Sequence, residues 1–120
     1  MRSGRRTRLW RQSGADHVDP EQLAAWLLAG KTDLLLIDIR TPEEYRSFHI
    51  RGAVNVALSE LPGYLLPHKN RGAIVLYSNG MTHPAQAATS LARSGYSNVR
   101  ILTDGLDGFV NRCLKPTSLR

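Results

Sequence analysis

Ala73-Ile74-Val75-Leu76-Tyr77-Ser78-Asn79-Gly80-Met81-Thr82-His83-Pro84-Ala85-Gln86-Ala87-Ala88 reads as a buried strand running straight into a helix through a six-residue turn. The unbroken apolar run ahead of Ser78 suits a strand covered on both faces. Gly80 permits a backbone conformation closed to other residues, and Pro84 suits a first helical position with Thr82 or His83 as cap. A turn of this kind aims several backbone N–H groups at one spot, where the positive end of the helix dipole adds to them. Ser78, Asn79, Gly80, Met81, Thr82 and His83 therefore form a candidate anion-binding loop. In open α/β folds such a turn lies at the carboxyl edge of the sheet, the usual place for a ligand.

On either side of this stretch, strands and helices alternate. Asp19 caps and Pro20 opens a helix that carries Leu23, Trp26 and Leu27 at helical spacing until Gly30 stops it. Leu34 to Asp38 is a second apolar strand, ending on an acid. Thr41-Pro42-Glu43-Glu44 has capping-box spacing, so a short helix begins at Pro42, turns Tyr45 and Phe48 inward and hardly passes His49. Gly52 to Val56 reads as a short strand, followed from Ser59 by a helical stretch that Pro62 and Gly63 interrupt and Pro67 ends. After the central strand and a helix from Pro84 to about Arg93, Gly95 is the stop, Val99 to Leu102 a further strand, and Leu106 to Cys113 the last helix. This alternation predicts an α/β fold, a small parallel sheet with helices on both faces.

The chain's 120 residues make one domain, with residues 16–114 ordered between a basic tail or linker (1–15) and a C-terminal tail (115–120). A content of 42% hydrophobic and 22% charged residues is globular, and no apolar run approaches the roughly 20 residues of a membrane span. The net charge of +6 sits largely in the tail, where five arginines and no acid fall in the first 15 residues, leaving eleven basic against ten acidic side chains. Trp10 is the tail's sole aromatic residue, so a solvated tail or linker is favoured over a nucleic-acid arm. The charges lead into no apolar segment before Asp16, so they do not form a secretory signal. The single Cys113 excludes an internal disulfide and a cysteine metal cluster, and leans toward a reducing compartment such as the cytoplasm; a periplasmic setting stays open for a longer parent protein.

Three segments together resemble the rhodanese-like domains, over about Val18 to Cys113. Leu36 to Val56 is similar to that family's Asp-x-Arg … Glu-Tyr … Gly-His-Ile-x-Gly-Ala-x-Asn signature, with Phe48 in place of the glycine before the histidine. Tyr77 to His83 resembles the loop that holds the family's catalytic cysteine, with Ser78 at the cysteine and His83 where many active members have arginine. Thr103 to Phe109 resembles the Gly-Gly … Trp motif, with Asp104 and Phe109 as departures. The resemblance implies a sulfurtransferase fold whose active members carry sulfur on cysteine as a persulfide. A serine hydroxyl ionises far less readily than a thiol and cannot serve as the sulfur carrier. An imidazole in place of a guanidinium keeps the backbone donors and loses a fixed charge.

Ser78 admits three readings: a relic holding the turn, a ligand-binding hydroxyl, or a nucleophile. The last would need His83 as base and lacks the Gly-x-Ser-x-Gly elbow, since Leu76 stands at the first glycine. Cys113, with Lys115 nearby, falls outside the loop and reads as a small core residue. Asp38 and Arg40, at the end of a strand, either face the pocket or brace the loops as an internal ion pair. His49 reads as a structural histidine, His17 and His68 as surface residues. No residue set has metal-ligand spacing and no cofactor is expected. The expectation is a catalytically inactive rhodanese-like domain acting as a binding, regulatory or structural module, within a tandem protein. Its partners would be a neighbouring rhodanese domain or a sulfur-carrier protein, and it would bind small oxyanions weakly. The rival is part of a thiosulfate or polysulfide sulfurtransferase whose catalytic cysteine lies in another domain.

Overall fold

The computed structural model of the chain describes residues 16–115; the basic segment 1–15 and residues 116–120 of the C-terminal tail lie outside the described residues. In chain order the elements are β1 (Asp16–Val18), α1 (Pro20–Ala29), β2 (Leu34–Asp38), α2 (Pro42–Ser47), β3 (Val54–Asn55), α3 (Leu61–Leu65), β4 (Ala73–Tyr77), α4 (Thr82–Arg93), β5 (Val99–Leu102) and α5 (Gly105–Phe109). Single 3₁₀ turns flank α3 at Leu58–Glu60 and Leu66–His68, and α5 runs on into a π turn, Val110–Leu114.

All strands are parallel and lie in the order β1-β5-β4-β2-β3, with the apolar run of β4 at the centre. Every residue of β4 is buried. Ile74 and Leu76 join Leu35, Ile37 and Ile101 in a cluster closed by Leu61 and Leu65 of α3 and by Ala88 and Leu91 of α4. Val75 and Tyr77 face the opposite way, into a cluster with Leu36 and Leu102, closed by Leu23 of α1 and by Leu106 and Phe109 of α5. A central strand with apolar residues at every position leaves no wet face, so helices must cover both sides. β2 leads outward to β3 while β4 leads the other way to β5. The loops after β2 and β4 thus flank the point where the winding of the sheet reverses.

Several local expectations are corrected. The turn after β4 has four residues rather than six, because α4 begins at Thr82 with Met81 as N-cap, and neither Thr82 nor His83 caps it. Pro84 is the third helical residue, where its missing N–H has no helical partner to lose. Gly80 does not take positive φ, and a Cβ placed on it would meet nothing within 4 Å, so its conformational freedom is not what shapes the turn. Pro62 and Gly63 sit inside α3 rather than breaking it, since proline near a helix start forfeits no hydrogen bond. Phe48 is 47% exposed instead of turned inward. β3 is shorter than Gly52 to Val56, and β1, a three-residue edge strand, was not foreseen.

Candidate functional site

β4 delivers its chain to the site on a buried aromatic. The Tyr77 hydroxyl accepts a hydrogen bond from the Ile50 N–H at 3.0 Å, and burial pushes its phenol well above the usual tyrosine range. Ser78 is half-buried, and its carbonyl accepts from the Leu106 N–H at 2.9 Å. Gly105, with φ +61°, presses on the same segment: a Cβ added there would lie 2.4 Å from the Asn79 carbonyl oxygen. Only glycine permits that approach, so the start of α5 props the turn from behind. Asp104 just ahead also has positive φ, 61°, a conformation that aspartate tolerates better than most residues.

The neighbouring turn after β2 packs against the first through Arg40 and Asn79. Asp38 is fully buried, and Arg40 grips it with Nη2 at 2.8 Å from Oδ2 and Nε at 3.1 Å from both oxygens. Donation to the carboxylate raises the guanidinium's pKa further. The Arg40 N–H donates back to Asp38 Oδ1 at 2.8 Å, and Asn55 Nδ2 donates to the carbonyls of Asp38 and Arg40 at 3.0 and 2.9 Å. Arg40 Nη1 then reaches Asn79 Oδ1 at 3.4 Å, while Asn79 Nδ2 donates to Glu44 Oε2 at 3.0 Å. The Asn79 amide, with the Thr41 N–H and hydroxyl on the other oxygen, holds the Glu44 carboxyl below the usual range.

Asp38 and Arg40 thus form the internal ion pair and stand behind the turn. Ser78, Asn79, Gly80, Met81, Thr82 and His83 all line one concavity of about 300 Å³. No side chain caps α4, whose first bond in the turn runs from the Ala85 N–H to the Met81 carbonyl at 3.0 Å. The N–H groups of Thr82 and His83 precede that bond, and Pro84 contributes none. The opening therefore offers backbone donors, the Ser78 hydroxyl and the exposed His83 imidazole. None of the residues lining it is acidic.

The six residues of the expected loop line one hollow, and the residues that support it carry no signal of that role in the sequence. Glu44 was legible only as a capping residue; its second oxygen is engaged by Asn79, 35 positions away. His49 holds the structural role expected of it, with Nδ1 2.6 Å from the Tyr45 carbonyl and its ring stacked on Tyr45. His68 is half-buried against Tyr64. Cys113 lies outside the loop, half-buried beside α1 and the Phe48 segment.

The family model for the rhodanese-like domain matches residues 19–112. The uncharacterized protein YibN of Escherichia coli K12 is 31% identical over 91 residues, covering 72% of this chain and 63% of that protein. The thiosulfate sulfurtransferase PspE of the same organism is 35% identical over 66 residues, 52% of this chain and 62% of that protein. The chain spans somewhat under two thirds of the length of either relative. The rhodanese-like domain of the Anabaena protein Alr3790 superposes with a TM-score of 0.70 at 26% identity, covering 79% of this chain and 73% of that domain.

Proposed function

The chain belongs to the rhodanese-like domain family, related to sulfurtransferases, and on that premise we propose that it binds small oxyanions at the Ser78–His83 turn without carrying sulfur itself. Ser78, at the end of β4, occupies the place that the sequence resemblance gives to the family's cysteine, and this one residue carries the reading. Sulfur transfer through a persulfide needs an S–S bond at that atom, and an oxygen cannot form it. What remains is the scaffold: an uncapped helix start, a turn propped by Gly105 and a hollow of about 300 Å³. Such a domain serves as a binding, regulatory or structural module, and its partner would be an active rhodanese domain or a sulfur-carrier protein.

The test is transfer of sulfur from thiosulfate to cyanide by the purified chain, followed as thiocyanate. No turnover above the protein-free rate is expected for the wild-type sequence, while sulfate shifts the backbone amides of residues 79–83 in an NMR titration at millimolar concentration. His83→Arg restores a guanidinium and tightens sulfate binding roughly tenfold or more, the worth of a charge-assisted hydrogen bond. Turnover above the protein-free rate overturns the reading, and its loss in Cys113→Ala would make Cys113 the carrier.

A further inference from the structure

His83 borders more than the hollow at the turn. The same side chain lines a second hollow, of about 260 Å³, which lies between α4 and the segment formed by the Leu58–Glu60 turn and α3. Its walls are Leu58, Leu61 and Pro62 on one side and Ala87 and Leu91 on the other. His83, Ala87 and Leu91 follow one another four residues apart on α4, so they stack along one face of that helix. The trough therefore starts where the helix dipole is positive and runs away from it for two turns, roughly 12 Å. Leu61 and Leu91 are buried at its floor, while Leu58, 40% exposed, stands at its rim as one of five large apolar side chains left open to solvent among the described residues. Apart from His83 no ionisable side chain lines it; Gln86 and Ser90 supply its polar edge.

We propose that the turn and the trough are one bipartite site, whose ligand is a small anion bearing a linear apolar tail: the oxyanion head at Ser78–His83 and the tail between α3 and α4. This rests on the anion-binding reading of the turn and adds to it the class of ligand. An inorganic oxyanion would leave Leu58, Pro62 and Ala87 unused. A head group with an aliphatic chain covers them, and the hydrophobic effect then supplies affinity that the loss of a fixed cation at position 83 removes. His83, facing both hollows, is the junction.

Methanesulfonate and hexane-1-sulfonate share one head and one charge and differ only in the tail, so an amide NMR titration of the full chain with each separates the two halves of the site. Hexane-1-sulfonate is expected to bind about tenfold or more tightly, shifting amides of residues 58–61 and 87–91 together with those of 79–83. Leu58→Ser, at an exposed position, should bring it down to the affinity of methanesulfonate and leave methanesulfonate itself unchanged. Equal affinities with shifts confined to 79–83 would overturn the trough and leave the turn as an oxyanion site. Binding of neither sulfonate would remove the anion-binding reading of the turn, and the bipartite site with it. Shifts from hexane-1-sulfonate centred on Leu28, Phe48 and Leu114, which border a separate apolar hollow of about 360 Å³, would also overturn the assignment.

Discussion

Two strand-to-helix turns lie side by side at the carboxyl edge of this sheet, and they resolve the same problem in opposite ways. The turn from β2 to α2 satisfies itself: Thr41 and Glu44 form a reciprocal capping box, Pro42 takes the first helical position, and Asp38, Arg40 and Asn55 tie the remaining backbone. The turn from β4 to α4 has Met81 as its N-cap, a residue whose side chain has no oxygen to offer, and no side-chain cap. A helix start has N–H groups to satisfy whether or not the chain supplies the acceptors. Where the chain supplies them, the turn is structural; where it does not, the acceptor must come from water or a ligand. The closed turn also braces the open one, through Arg40 and Glu44 on either side of the Asn79 amide.

The contrast is broken most severely at Asp38. Asp38→Ala strands the Arg40 guanidinium, whose side chain is only 6% exposed, and is expected to cost about 4 kcal/mol in guanidinium chloride unfolding. Ser78→Ala in the open turn should stay within about 0.5 kcal/mol. Comparable losses for the two variants would show that the turns do not differ as described.

Gly105→Ala attacks the prop beneath the open turn. A methyl group forced to 2.4 Å from the Asn79 carbonyl, at a φ of +61°, must displace the turn or α5, at a cost of about 3 kcal/mol. The displaced turn should also lose its sulfate-induced amide shifts. Retained shifts at full stability would mean that α5 does not set the shape of the turn.

Within the closed turn a smaller effect belongs to the capping box. Thr41→Ala removes the acceptor for the Glu44 N–H and should cost about 1 kcal/mol. Its pH dependence follows from Glu44, whose pKa is lowered in the folded chain by the Asn79 amide first and then by Thr41. A lowered folded pKa favours the ionised form, so the contribution is complete above the unfolded glutamate pKa and is lost as pH falls through the folded value. Glu44→Gln should flatten that acid limb of the stability curve; an unchanged limb would place the titration elsewhere.

Much of this was readable in advance because it is local. The capping box, Pro20 and Gly30 at the ends of α1, and the apolar run of β4 each depend on residues within a turn or on an unbroken pattern, and each took the expected form. The misreadings share one cause. Phe48 follows the helical spacing of an inward residue, but its carbonyl is taken by Arg40 and the chain leaves α2 extended there, so the ring turns out to solvent. Gly80 looked like the residue that makes the turn possible, yet the glycine that does so is Gly105, 27 positions after Ser78.

By itself the sequence determined the order of strands and helices from α1 onward, the burial of β4 on both faces and the absence of a thiol at position 78, since these follow from side-chain identity and short-range periodicity. Tertiary structure alone decided that Asn79 is held between Arg40 and Glu44, that Gly105 underlies the turn, and that a trough opens from His83 along α4. Those features join residues 21 to 39 positions apart, and only the packing of one crossover against the next brings them within reach.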